Sequence, residues 1–154
     1  RYPCDFEVFR VDVLNRHGMP AGFVLMEEPF ALRLHCRVRR SRPHYAVSIQ
    51  FRHDDGLVLG TIGTSYVLDR LEVRDGGVYA LTARLKNVFS PGQCRLDVRV
   101  VAGPEEVDFV EGIPLTVAPV TAGDELPQRE GVVQLRSEWS LDEADAANAP
   151  QGGP

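Results

Sequence analysis

The chain has 154 residues, 44% of them apolar and 25% charged, with 17 basic and 22 acidic side chains for a net charge of −5 and a pI near 5.4. These values describe an ordinary globular domain, exclude wholesale disorder and argue against a nucleic-acid-binding role. No stretch approaches the ~18 consecutive apolar residues that span a membrane. Arg1-Tyr2-Pro3-Cys4-Asp5 has neither the apolar centre of a signal peptide nor a starting Met, so residues 1–5 read as the linker remnant of a longer protein. The charge is uneven: residues 1–100 carry 15 basic and 11 acidic side chains, residues 101–154 carry 2 and 11, and Lys86 is the one basic residue that is not Arg.

Taken in order, the predicted elements are strands with period-two alternation. Phe9, Val11 and Val13 mark the first, ended by the turn signal Asn15-Arg16-His17-Gly18. In Phe30–Arg39, Phe30, Leu32, Leu34, Cys36 and Val38 share one face, and Arg33, His35, Arg37 and Arg39 the other. Tyr45–Arg52 repeats the pattern, with Tyr45, Val47, Ile49 and Phe51 inward and Ser48, Gln50 and Arg52 outward. After the turn Asp54-Asp55-Gly56, a single helical turn is expected around Gly63–Leu68. Asp75-Gly76-Gly77 then leads into a strand within Val78–Asn87, and Ser90-Pro91-Gly92 into another over Gln93–Val101. In the latter Cys94, Leu96, Val98 and Val100 oppose Arg95, Asp97 and Arg99. Ile113, Leu115 and Val117 mark one more strand, Val120–Glu130 an exposed connection, and Val133, Leu135 and Ser137 a last strand toward Trp139. The Ala-, Asp-, Gly- and Pro-rich residues 140–154 read as a disordered tail, which leaves 6–139 as the domain. The fold expected is all-β, an immunoglobulin-like or jelly-roll antiparallel β-sandwich of seven to nine strands.

Catalytic signatures are missing from the sequence. There is no phosphate-binding Gly-x-x-x-x-Gly-Lys-Ser/Thr loop and no Gly-x-Ser-x-Gly elbow. His17, His35, His44 and His53 have no metal-ligand spacing, so neither a metal nor a cofactor is expected. The acidic neighbours Glu27-Glu28, Asp54-Asp55 and Glu105-Glu106 sit at turns and read as solvated charge. Cys36 and Cys94 are 58 residues apart, an immunoglobulin-like spacing, but no core Trp follows Cys36 and Gly92 stands where the tyrosine corner would be. With three cysteines in all, buried free thiols in a reducing compartment are the favoured reading.

What remains is a surface. If the strands of Ser48, Gln50 and Arg52 and of Arg95, Asp97 and Arg99 lie in one sheet, their outward side gathers planar donors and acceptors that suit sugar hydroxyls. Tyr66 and Trp139 are the candidate rings for stacking, and Trp139 equally reads as a core or interface anchor. The competing reading is a solvated face with salt bridges from Arg95 or Arg99 to Asp97.

The chain also resembles a known family. Phe9–Gly18, the basic strand Phe30–Arg39, the Pro-led strand Arg42–Ile49, the hairpin Asp55–Thr64, the entry Ser90-Pro91-Gly92-Gln93-Cys94-Arg95-Leu96 and the closing Gly131–Trp139 are similar, in order and spacing, to the C-terminal domain of Wzt-type ATPases. These are the nucleotide-binding subunits of ABC transporters that export O-antigen and related polysaccharides. Cys94 stands where that family often has Tyr, and Ile62-Gly63 where an Asn is common. The resemblance implies a non-catalytic β-sandwich that binds the polysaccharide, often by its non-reducing end. It also implies a cytoplasmic place behind an ATPase domain, which brings the sandwich to the membrane permease, and a homodimer whose last strand, with Leu135 and Trp139 at the interface, is exchanged between protomers. Two alternatives stand beside it: a dimerisation or protein-interaction sandwich without glycan binding, and an extracellular adhesion domain dependent on a Cys36–Cys94 bond.

Overall fold

The computed structural model describes residues 4–66, 71–86, 89–119 and 135–144, with only the backbone of Tyr66. Among these residues nine strands form two stacked sheets: β1 (Phe6–Leu14), β2 (Val24–Leu25), β3 (Phe30–Val38), β4 (Tyr45–His53), β5 (Val58–Gly63), β6 (Val78–Leu85), β7 (Gly92–Ala102), β8 (Glu105–Ala118) and β9 (Ser137–Glu143). One sheet runs β1-β3-β6-β9, the other β2-β8-β7-β4-β5. The all-β sandwich expected from alternation is the fold. One pair departs from the antiparallel expectation, because the two residues of β2 lie parallel to Val117 and Ala118 of β8.

Alternation decides the core. Phe30, Leu32, Leu34, Cys36 and Val38 of β3 face Val47, Ile49 and Phe51 of β4 and Leu96, Val98 and Val100 of β7, all at 2% exposure or less. Removing most of such a side chain, as in Leu34→Ala, costs about 2–5 kcal/mol. The two sheets are also joined at one side, where buried Asp108 of β8 accepts the backbone N–H of Val8 at 2.8 Å.

Where the structure differs from the sequence reading, register explains it. In β1 a bulge between Val8 and Arg10 resets the alternation: Phe6 and Val8 face the core before it, Val11 and Val13 after it, and Phe9 is put on the outer side against the His35 ring. Phe9 therefore does not share a face with Val11 and Val13. The strand at Trp139 continues to Glu143, paired throughout with β6, so ordered structure extends past the expected boundary at residue 139. At the other end, Asp5 accepts the backbone N–H groups of Arg39 and Arg40, tying part of the expected linker to the sandwich. The expected helical turn is a short 3-10 turn at Thr64–Tyr66. The connection expected over Val120–Glu130, and Val133 with it, lies outside the described residues.

Cys36 and Cys94 face the core from opposite sheets as free thiols. Burial pushes the Cys36 thiol far above its ordinary range and Cys94 up to about 11, so neither ionises near neutrality.

Candidate functional site

β4 and β7 are hydrogen-bonded neighbours, and their register puts Ser48 beside Arg99, Gln50 beside Asp97 and Arg52 beside Arg95. All six share the outward side of the five-stranded sheet, the side left over once the apolar set of each strand has turned inward. Five of the six line a groove of about 330 Å³: Ser48, Gln50 and Arg52 from β4, with Asp97 and Arg99 from β7. Thr61 of β5 closes one flank, and Phe109 and Glu111 of β8 the other. Arg95 stands outside the groove, toward the β4–β5 turn, with its Nε 3.7 Å from Asp54.

The relief of this face comes from β8. Between the pairs Leu96–Ile113 and Val98–Val110 the register slips by one residue, so Glu111 and Gly112 of β8 stand opposite the single residue Asp97. Gly112 sits in that bulge at φ +76°, a conformation that glycine adopts without a Cβ penalty. Its N–H donates to Asp97 Oδ1 at 3.0 Å. Arg52 approaches the same carboxylate with two nitrogens, Nε 2.6 Å from Oδ2 and a terminal nitrogen 2.9 Å from Oδ1. Burial pushes the Asp97 carboxyl up, but the hydrogen bonds from Arg52 and Gly112 and the neighbouring arginine charges outweigh it and hold the group below its ordinary range. Asp97 is thus an ionised, 7% exposed acceptor at the groove floor.

The partners differ from those the sequence suggested. Asp97 pairs with Arg52 on the adjacent strand, not with Arg95 or Arg99 on its own strand; Arg99 instead lies 3.3 Å from Glu106. Arg52 reaches Asp97 as its diagonal neighbour across the β4–β7 pair, within reach of a long side chain. The Arg99 guanidinium also sits 5.2 Å from the centroid of the Phe109 ring, its register partner on β8. Thr61, Phe109 and Glu111 were missed in the sequence. Phe109 and Glu111 flank Val110 in a local alternation that reveals their outward direction, but the slips of register hide it over the strand as a whole.

The other proposed residues lie elsewhere. Tyr66 ends the 3-10 turn after β5, and its side chain is outside the described residues. Trp139 of β9 is 9% exposed in the core of its own chain, its Nε1 donating to Ser137 Oγ at 2.9 Å. It therefore neither joins the groove nor offers an exposed ring, and an interface role needs the exchanged form of β9. Leu135 is half-buried and packs against the same core.

A larger hollow of about 530 Å³ lies at one end of the sandwich, between Ser41–His44, Leu71–Arg74, Tyr79 and Glu143. Its arginines are held by Asp5, Glu105 and Glu143. Among the described residues no three His, Cys, Asp or Glu side chains cluster closely enough to hold a metal ion, and no helix is long and apolar enough to cross a membrane.

Comparison with known proteins adds one likeness. The structure superposes on the crystal structure of the C-terminal domain of Wzt with a TM-score of 0.64, covering 82% of this chain and 86% of that one at 12% sequence identity. The fold is that of the Wzt C-terminal domain. No protein-family model matches the sequence. No curated protein matches it either. The likeness to Wzt is therefore one of architecture, carried by the arrangement of the strands, with little of the sequence shared.

Proposed function

We propose that this chain is a non-catalytic carbohydrate-recognition domain, which takes an O-antigen-type polysaccharide by its non-reducing end into the groove between β5, β4, β7 and β8 and serves ABC-transporter export. The observation that carries the reading is the convergence of Gln50, Arg52, Asp97, Arg99 and Glu111 in one dented sheet face beside Phe109. Such a site offers a hydroxyl-bearing ring both donors and acceptors in fixed positions, with an aromatic edge for its C–H face. The Wzt-like fold and the ordered motifs from Phe9 to Trp139 support the export context. In that context the parent protein carries an ATPase domain, the domain works as a homodimer on the cytoplasmic side, and the membrane permease is its partner through the ATPase.

A shallow polar groove displaces ordered water and gains little apolar area, so the affinity expected is micromolar or weaker. Titration of the ¹⁵N-labelled chain with the producing organism's polysaccharide should move the amide signals of Gln50, Thr61, Arg99 and Glu111. Shifts confined to other parts of the sandwich would remove the groove from consideration.

One observation favours a second reading, a protein-interaction or dimerisation module: Met19 and Phe23, in the connection from β1 to β2, are 61% and 52% exposed. The double variant Arg95→Ala, Arg99→Ala separates the two. Glycan capture fails and self-association survives if the groove is the binding site, and both persist if the arginines are solvated surface.

A further inference from the structure

We infer that the groove selects an uncharged sugar unit and discriminates against uronate-, sialate- or phosphate-bearing ones, an inference that rests on reading the groove as a glycan site. An arginine-rich face invites the opposite expectation, that the cations answer an anionic polymer. The geometry denies it. Among the groove-lining side chains Arg52 and Arg99 supply two positive charges, and Asp97 and Glu111 two negative ones. Arg52 has the Nε side of its guanidinium on Asp97, at 2.6 and 2.9 Å, so its charge is already matched. Arg99 holds Glu106 at 3.3 Å and lies over Phe109, and Arg95 beside the groove is matched with Asp54 at 3.7 Å.

An anionic sugar would therefore meet only arginines whose charge a protein carboxylate already balances, and it would sit beside Glu111, whose charge is close enough to act on Arg52. A hydroxyl displaces nothing. It donates to the outer lone pairs of Asp97 or Glu111 and accepts from a guanidinium or from the Gln50 amide, while the ion pairs stay closed. Phe109, 37% exposed at the rim, adds apolar surface that an uncharged pyranose face can cover.

The test uses matched polysaccharides that differ by one kind of charged group: dextran against carboxymethyl-dextran, mannan against phosphomannan, and methyl-esterified against de-esterified polygalacturonate. Each is titrated into the ¹⁵N-labelled chain. The result expected is that a neutral member moves the Gln50, Thr61 and Glu111 amides, that its charged counterpart binds at least about tenfold more weakly, and that the neutral affinity is flat between about 50 and 300 mM salt. A charged member that binds as tightly, with affinity collapsing in salt, overturns the uncharged class and leaves the groove as a glycan site. No groove shift with any pair overturns the glycan reading itself. Glu106→Gln supplies an independent check, because it strips Arg99 of its carboxylate at an exposed position outside the groove. The variant should gain several-fold for the charged members, and an unchanged neutral-to-charged ratio would defeat the charge-pair argument.

Discussion

On the outward side of the four-stranded sheet, Asp12 receives Arg10 from its own strand at 2.7 Å and His35 from the neighbouring strand at 2.8 Å, and Arg84 donates to Ser140 at 2.9 Å. On the outward side of the five-stranded sheet, Arg52 and Gly112 converge on Asp97, and Arg99 meets Glu106 and Phe109. The two faces use the same vocabulary of arginines and carboxylates. They differ in relief. β3, β6 and β9 pair in unbroken register and β1 slips once at the sheet's edge, while β8 slips twice against β7, with Gly112 at positive φ in one of the bulges. Paired charge is what an alternating strand leaves on any solvent side; an irregular strand beside it turns that charge into a concavity.

Removing the carboxylate at the centre of each face should affect the two sheets unequally. Asp97→Ala deprives a buried site of the acceptor for the Gly112 N–H, which alone costs about 1–3 kcal/mol. Asp12→Ala leaves its partners nearer to water, so its loss in denaturant midpoint should be the smaller; equal losses would mean that the bulge contributes nothing special. Next in size is Gly112→Ala. The added Cβ meets only Arg95 at 3.7 Å, so the cost is the positive φ, about 1–2 kcal/mol, and the groove amides should shift with it.

Acid should reveal the same two carboxylates. The hydrogen bond from Arg10 holds Asp12 below the ordinary carboxylate range against its burial, and Asp97 is likewise depressed by its partners against burial. A depressed native pKa gives stability that is fully present above the unfolded value of about 4 and is lost as pH falls through the native value. Stability should therefore fall with pH below about 4, and Asp97→Asn and Asp12→Asn should each flatten that fall in pH-dependent urea titrations. The smallest expected effect on folding is Gln50→Ala, half-exposed in the groove, which should leave stability within about 0.5 kcal/mol and still weaken glycan binding.

Legibility from the sequence followed regularity. β3, β4 and β7 alternate strictly, so their inward sets and the outward residues 48–52 and 95–99 could be read residue by residue. The adjacency of β4 and β7, which makes one face of those residues, was anticipated only by analogy with other sandwiches, because alternation says which way a side chain points and not which strand lies beside it. For the same reason the Arg52–Asp97 pair was invisible, being a contact across 45 residues of sequence. β1 and β8 carry bulges, and each bulge reverses the parity on which an alternation argument depends; that cost the reading Phe9, Phe109 and Glu111. β2 was too short to register at all, with two residues held by the end of β8.

That brevity has a consequence for solubility. Among the described residues β2 shields only the last two residues of β8, so most of a 14-residue strand borders no paired neighbour on that side. A long, straight row of free amides and carbonyls would recruit the strands of other molecules and seed polymerisation. β8 is a poor template for that growth: Pro114 has no N–H to offer, Gly112 bends the ribbon, and Asp108 folds its carboxylate back onto Val8. The irregularities that hollow out the groove thus also keep neighbouring molecules from stacking onto the sheet's border.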